Sequence, residues 1–236
     1  MKLSIIIPCY NEAATILQAV HAAKKAPVPE TFTAREIIVV DDASADATWD
    51  VLQKEIARDE SMKLVRHERN RGKGAALRSG FERASGDVLI IQDADLEYDP
   101  TEYPQLLAPI IEGKADVVYG SRFTGARPHR AAYFWHMTGN RFLTFLTNLI
   151  LNLNLTDMES GYKVFRKEVL RSMTLKENRF GFEPEFTAKA TRGGWRIYEV
   201  GISYFGRTYA EGKKIKWQDG AGAVYCLLKY GLFSRT

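Results

Sequence analysis

Asp93-Ala94-Asp95 closes the apolar run Val88-Leu89-Ile90-Ile91-Gln92, so two carboxylates stand one residue apart where a buried strand gives way to a loop. On an extended chain the side chains at i and i+2 point the same way, and both carboxylates can address one divalent cation. Mg²⁺ and Mn²⁺ favour such oxygen ligands, and Mg²⁺ is commonly held by one or two carboxylates together with substrate phosphates. The pair therefore points to a metal-bound diphosphate, against the plainer reading of an acidic turn.

Three further segments carry groups suited to such a ligand. Pro8-Cys9-Tyr10-Asn11-Glu12 follows the apolar run Ile5-Ile6-Ile7. Its Tyr10 ring can stack on a base, and Glu12 can accept hydrogen bonds from a ribose or a base. Asp41-Asp42 repeats the arrangement one strand later, where carboxylates can hold a base N–H or ribose hydroxyls. Adjacent acids repel each other, so a polar ligand or backbone N–H groups must hold them. Arg71-Gly72-Lys73-Gly74 opens a helix, and either its N–H groups and Lys73 approach an anion or it is a plain helix start. It lacks the Gly-x-x-x-x-Gly-Lys-Ser/Thr spacing, which excludes a P-loop ATPase.

These segments need a scaffold that brings them to one edge. Short apolar runs alternate with helix-period segments through the first half, the pattern of an α/β fold with a largely parallel sheet. Strands are expected at 5–8, 36–40, 63–65, 88–92 and 116–120, with helices at 12–25, from an N-cap at Ser44 or Asp46 through Ile56, and up to Ala84. All but one of these strands open onto polar or glycine-rich loops at their carboxyl ends, where ligands of open parallel sheets bind. The second half is less regular, with helices expected near 140–153, 167–173 and 184–192 and a strand at 196–200. The chain, 1–236, reads as a single domain in which a nucleotide-binding half, 1–125, carries an acceptor half, 126–236.

Composition removes other classes. With 45% hydrophobic and 26% charged residues over 236 positions, the chain can bury a sizeable core and is neither disordered nor fibrous. The longest apolar stretch, Phe142 to Leu153, is shorter than the roughly 20 residues a membrane span needs, although it can lie on a bilayer. The apolar run at the amino terminus is too short for a signal-peptide core, so a cytoplasmic location is expected. Cys9 and Cys226 lie far apart without metal-ligand spacing. The net charge of +4 arises from clusters at 66–73, 122–130 and 213–216, which fit phosphate ligands or an anionic lipid surface.

Taken in order, Ser4-Ile5-Ile6-Ile7-Pro8-x-Tyr10-Asn11-Glu12, Ile37 to Ala43 with Asp46, Arg71-Gly72-Lys73-Gly74, Asp93-Ala94-Asp95, Gly120-Ser121-Arg122-Phe123, Asp157 to Arg166, and Arg207-Thr208-Tyr209-x-Glu211-Gly212-Lys213 resemble family 2 glycosyltransferases of the GT-A fold. Within that family they are most similar to the dolichyl-phosphate mannose synthase group of polyprenyl-phosphate glycosyltransferases. The resemblance spans nearly the whole chain. It implies that Pro8, Tyr10, Glu12, Val40 and Asp42 line the nucleotide pocket; the residue reading adds Asp41 and Lys73. It implies also that Asp93, Ala94 and Asp95 bind ribose, diphosphate and Mg²⁺ or Mn²⁺, with Asp93 and Asp95 in the metal site and Asp95 the direct ligand. Arg122, Arg207 and Lys213 match positions that contact donor or acceptor phosphates. Gln92 stands where a hydrophobic residue often precedes the acidic motif.

The implied activity is metal-dependent transfer of a sugar, by single displacement with inversion, from GDP-mannose or a UDP-sugar to a polyprenyl or dolichyl phosphate. Its expected catalytic residues are Asp95, Arg122, Asp157 and Glu159. A lipid monophosphate is mostly ionised at neutral pH and needs no strong base. A hydroxyl acceptor would need a carboxylate within reach, for which Asp157, Glu159, Glu183 and Glu185 are candidates, Glu159 first. The alternatives are a family 2 transferase acting on a saccharide or other hydroxyl, and a non-catalytic nucleotide-sugar-binding subunit. Phe134 to Leu153 and the tail Tyr225 to Phe233 suit a membrane interface. Peripheral attachment at the cytoplasmic face of a membrane is therefore expected, directly, as a homo-oligomer or through a membrane-anchoring partner; nucleic acid is not an expected partner.

Overall fold

The computed structural model describes residues 1–57, 59, 61–125, 128, 130, 134–208 and 217–233. The first half alternates strand and helix: β1 (Lys2–Cys9), α1 (Ile16–Lys25), β2 (Ala34–Asp41), α2 (Thr48–Ile56), β3 (Met62–Arg66), α3 (Lys73–Arg83), β4 (Val88–Ile91), a 3-10 turn (Pro100–Glu102), α4 (Tyr103–Ile111) and β5 (Val117–Ser121). The second half supplies α5 (Phe134–Leu151), β6 (Lys163–Arg166), α6 (Lys167–Arg171), α7 (Phe182–Arg192), β7 (Ile197–Gly201), α8 (Trp217–Leu228) and a π-helical turn (Lys229–Phe233).

The strands form one seven-stranded sheet in the order β3-β2-β1-β4-β6-β5-β7, so it takes strands from both sides of residue 125. Pairing is parallel except around β6, which runs antiparallel to both β4 and β5. Successive side chains on a strand serve opposite faces. Ile5, Ile7, Ile37, Val39 and Ile90 pack with Ile16 and Val20 of α1 and Leu106 of α4. Ile6, Ile38, Val40, Leu89 and Ile91 pack with Leu77 of α3 and Phe182 and Phe186 of α7. Burial on both faces is why β1 and β2 read as continuous apolar runs and not as alternating ones. Truncating the fully buried Ile6 to Ala would cost about 2–5 kcal/mol.

Several elements depart from the expected bounds. Helix α1 starts at Ile16 because Glu12 to Thr15 form a turn, with Thr15 and Ile16 both donating to the Glu12 carbonyl. Asp46 serves the start of α2, accepting from Thr48 N at 3.0 Å, while Ser44 Oγ accepts from Asn11 N at 2.9 Å. Helix α5 begins at Phe134, ahead of Asn140. β6, α4 and α8 are additional to the expected elements. Lys163 and Arg166 break the apolar signature of β6, and Pro104 and Pro109 interrupt the helical signal of α4.

The topology assembles the site. β1, β2 and β4 are parallel, so their carboxyl ends share one edge of the sheet. Each is followed by a non-glycine residue in the left-handed region: Asn11 (φ 52°), Ala43 (φ 59°) and Leu96 (φ 63°). Asn tolerates this conformation, but Ala43 and Leu96 bear about 1 kcal/mol or more each, strain concentrated in the loops that shape the cavity described below. Because β6 runs the other way, with Val164 opposite Ile90, the segment 157–161 that leads into it arrives beside Asp93.

Candidate active site

A cavity of about 1170 Å³ opens over this edge, lined by Pro8, Tyr10, Glu12, Asp42, Lys73, Asp93, Ala94, Asp95, Arg122, Glu159 and Arg207 among others. Three expected residues sit behind its walls. Val40 packs in the core with Ile6 and Leu77. Asp41, fully buried, accepts from Ser44 N and faces Arg66 Nε at 3.3 Å. Asp157 backs Arg122. Lys213 lies outside the described residues.

Each carboxylate of the Asp93–Asp95 pair faces a cation. Lys73 Nζ, at the start of α3, lies 2.9 Å from Asp93 Oδ1 and 3.6 Å from Glu183 Oε1. Burial lowers the Lys73 ammonium, but Asp93 and Glu183 outweigh it and hold Lys73 above the ordinary lysine range. Arg207 donates to the two Glu12 oxygens at 3.1 Å each and to Asp95 Oδ2 at 3.4 Å, while its backbone N–H donates to Glu97 Oε1 at 2.7 Å. Even so, burial, and after it the charges of Asp93 and Glu97, push Asp95 up to about 7. Negative charge is in excess here, the electrostatic condition for taking up a divalent cation. Among the described residues no three His, Cys, Asp or Glu side chains converge into a closed cage. Two carboxylates, with the other positions left to phosphate oxygens and water, suit Mg²⁺ or Mn²⁺.

The wall after β5 is a buried ion pair. Arg122 donates through Nε to Asp157 Oδ2 at 2.6 Å and through Nη2 to Oδ1 at 2.7 Å, and Asn140 Nδ2 of α5 adds a bond at 3.0 Å. Burial pushes Asp157 up, yet the guanidinium overrides it and holds the carboxyl below the usual range. The expectation of Asp157 as a proton acceptor is thereby corrected: it is the counter-ion of Arg122. Glu185 is similarly engaged, by Lys176 N, Glu177 N and Lys189 Nζ. Glu159 and Glu183 reach the cavity, and Glu159 Oε1 and Glu183 Oε2 are buried without a hydrogen-bond partner among the described residues. Burial, followed by the charge of Glu183, pushes Glu159 up to about 8.

At the other end, Asp42 is held as adjacent acids require. Arg71 N and Gly72 N donate to it at 2.8 and 2.6 Å, and His67 Nδ1 lies 2.6 Å from Oδ1. The start of α3 is partly engaged within the protein, with Gly72 N serving Asp42. Ala75 N donates to the Asn178 carbonyl at 3.1 Å, and a Cβ on Gly72 or Gly74 would collide with the 177–178 backbone. The glycines serve close packing, and Lys73 Nζ meets Asp93 in the cavity.

Sequence reasoning did not single out His67, Glu97 or Tyr98, and it read Gly161 only as part of a motif. Glu97 and Tyr98 had a local signal, following the acidic motif directly; Tyr98 Oη accepts from Gly161 N at 3.2 Å. His67 had none. Gln92 is buried, and its Oε1 accepts from Tyr103 Oη at 3.0 Å, which accounts for a polar residue before the acidic pair. The cavity lining also includes Trp135, Gly139 and Leu143 of α5 and Ala223 of α8. On the same two helices, Phe142, Phe145 and Leu149 of α5 and Tyr225 and Leu228 of α8 are exposed, as is Phe233 of the π-helical turn. Among the described residues no helix is long and apolar enough to cross a membrane.

The seven-stranded, mostly parallel sheet is the GT-A fold. Residues 4–174 match glycosyl transferase family 2, and the chain belongs to that family and is a glycosyltransferase. It is 32% identical over 245 residues to an undecaprenyl-phosphate mannosyltransferase of Micrococcus luteus, covering 100% of this chain and 96% of that protein. It is 30% identical over 215 residues to a dolichol-phosphate mannosyltransferase of Pyrococcus furiosus, covering 90% of this chain and 59% of that one. Glucosyl-3-phosphoglycerate synthase of Mycobacterium tuberculosis, solved with Mn²⁺, uridine diphosphate and phosphoglyceric acid, superposes with a TM-score of 0.73 over 100% of this chain and 80% of that one. At 20% identity that last likeness is one of fold.

Proposed function

We propose that the protein moves a sugar, with inversion, from a nucleotide-diphosphate donor to a polyprenyl phosphate at a membrane surface. The observation that carries this reading is that α5 and α8 serve both the cavity and an exposed apolar surface: Trp135, Leu143 and Ala223 line the cavity with the sheet-edge carboxylates, while Phe142, Phe145 and Leu149 of α5 and Tyr225 of α8 are exposed. A lipid phosphate can keep its chain against such a surface while its headgroup enters a polar cavity. The two relatives named for transfer to undecaprenyl phosphate and for dolichol phosphate support the same acceptor class.

Asp93 and Asp95 would hold the divalent ion, whose charge would stabilise the departing diphosphate. Lys73 and Arg207 keep the two carboxylates oriented and partly neutralised before the donor arrives. Arg122, fixed in direction by Asp157, presents a rigid cationic wall to phosphate oxygens. Glu159, held largely protonated near neutral pH by burial, does not repel an incoming phosphate and can donate to it. A phosphate oxygen is its own nucleophile at neutral pH, so no residue need remove a proton.

One observation favours a second reading, transfer to a hydroxyl. Glu159 Oε1 has no partner among the described residues, and a carboxyl pushed up to about 8 is matched to proton removal at mildly alkaline pH. Transfer assays with Mn²⁺ and a panel of nucleotide sugars, run in parallel against polyprenyl phosphate and free saccharides, decide between them. The proposed function requires product only with the lipid phosphate, of inverted anomeric configuration; product on saccharides alone establishes the second reading. Absence of turnover with every donor and acceptor would leave a nucleotide-sugar-binding subunit.

A further inference from the structure

The end of the cavity away from Asp93 is built around Asp42, whose side chain is almost completely buried and whose hydrogen bonds can be counted atom by atom. A carboxylate offers about four lone-pair positions, two on each oxygen, and donates nothing while ionised. Oδ1 accepts from Arg71 N at 2.8 Å and faces His67 Nδ1 at 2.6 Å, which must carry the proton because the carboxylate can only accept. Oδ2 accepts from Gly72 N at 2.6 Å. His67 is itself fixed from behind, with Nε2 2.9 Å from Ser79 Oγ of α3. Among the described residues, Oδ1 is therefore saturated and Oδ2 has one position left.

The bases differ in what they bring to such a group. Uracil presents a single ring N–H between two carbonyl oxygens. Guanine presents a ring N–H and an adjacent amino N–H, which together call for both oxygens of a carboxylate. Adenine and cytosine place a ring-nitrogen lone pair beside their amino group, facing the carboxylate with repulsion. Tyr10, half-exposed on the same part of the cavity, supplies a ring face for stacking that any base can use and none is selected by. Of these two side chains, Asp42 is the one that can discriminate between bases.

We infer that His67, by saturating Oδ1 of Asp42, sets the site to read one N–H and so selects a uridine diphosphate donor over a guanosine diphosphate donor. The inference rests on the proposed nucleotide-sugar reading of the cavity. His67 acts through Asp42 and is a positioning residue. With guanine in place, one of its two donors is left buried without an acceptor, which weakens binding by at least about tenfold.

Titration calorimetry of the whole chain with UDP, GDP, CDP and ADP, each with Mn²⁺, tests it. The expected result is UDP binding at least tenfold tighter than GDP, with CDP and ADP weaker than UDP. Equal or tighter binding of GDP overturns the inference and leaves the glycosyltransferase reading standing; binding of none of the four overturns the reading beneath it. His67→Ala releases Oδ1, so the ratio of UDP to GDP affinity should fall several-fold, while His67→Gln, which can still donate to Oδ1, should restore much of it. Parallel loss of affinity for both nucleotides in His67→Ala, with the ratio unchanged, would mean that His67 only supports the loop and would overturn its assigned role. Should His67→Ala fail to fold, the wild-type ratio and the Gln variant still decide the matter.

Discussion

Gly161 stands so close to Asp93 that a methyl group on its Cα would fall inside contact distance of Asp93 Oδ2 and 2.9 Å from Lys73 Nζ. The segment entering β6 and the acidic pair leaving β4 are therefore fitted to each other at one atom's width. Gly161→Ala should push Asp93 or Lys73 out of place. The expected result is a loss of donor turnover of at least about tenfold, with thermal stability reduced by about 1–3 kcal/mol as for other overpacked sites. Steady-state kinetics together with thermal unfolding measure both; unchanged kcat/KM would show that the Asp93–Lys73 geometry is not needed for transfer.

Asp95 sits among Asp93, Glu97 and Arg207, where burial and like charge disfavour its ionised form. Asp95→Ala should abolish the Mn²⁺-dependent part of nucleoside diphosphate affinity, measured by calorimetry with and without the ion. Transfer should fall by about 100-fold or more, the scale on which removing one electrostatic stabiliser acts. Retention of both properties would remove the metal site from this edge of the sheet.

The Arg122–Asp157 pair is buried on both sides, so breaking it by one substitution leaves a lone charge inside the protein. Arg122→Met and Asp157→Asn should each destabilise by about 3–5 kcal/mol. Their combination should cost less than the sum, because the second change removes the stranded charge. Denaturant unfolding of the four proteins in the cycle provides the comparison, and strict additivity would contradict the pairing.

Much of this arrangement is legible in the chain and some is not, for physical reasons. Ile5 to Ile7 and Ile37 to Val40 announce buried parallel strands because both their faces are covered, and the acids that follow announce the binding edge. Lys163 conceals β6: it lies wholly inside the protein, with its ammonium donating to the Met158 and Ser160 carbonyls, an environment that no local pattern reveals. The glycines 72 and 74 resemble a phosphate cradle, yet their partner is the 177–178 backbone, about a hundred positions away in the chain. His67 meets Asp42 across 25 residues, and between Arg66 and Glu68 it looks like one more polar surface residue. What escapes sequence reading is pairing between distant segments, since spacing records only neighbours along a strand or helix.

Glu159 gives the protein a pH-dependent stability whose sign can be worked out. Burial, and then Glu183, lift its carboxyl from 4.5 to about 8 in the fold. The folded protein therefore holds a proton that the unfolded chain releases, and the stability gained from it is fully present below about pH 4.5 and lost as pH rises through about 8. Glu159→Gln cannot ionise. It should unfold at the same temperature as wild type near pH 4.5 and be more stable at pH 8 by about 1–4 kcal/mol. A constant offset between the two proteins across that range would place Glu159 in a solvated environment and contradict its burial.

Phe142, Phe145 and Leu149 lie at i, i+3 and i+7 on α5, so they share one helix face, and all three are exposed. An apolar face of this size beside a polar cavity is costly in water and is relieved by insertion into the headgroup region of a bilayer. Replacing all three with Ser removes little that the folded monomer uses, and exposed substitutions of this kind shift stability by about 0.5 kcal/mol or less each. The same change removes most of the apolar area available to lipid, where each large side chain contributes about 1.5–3 kcal/mol when fully buried. Flotation with vesicles of mixed anionic and neutral lipids should therefore show bound protein falling at least tenfold in the triple variant, while its affinity for nucleoside diphosphate and Mn²⁺ stays within twofold of wild type. Transfer to polyprenyl phosphate embedded in those vesicles should fall with binding, and transfer to a short-chain, water-soluble polyprenyl phosphate should not. If the variant floats as well as wild type, the exposed face of α5 is not a lipid-binding surface.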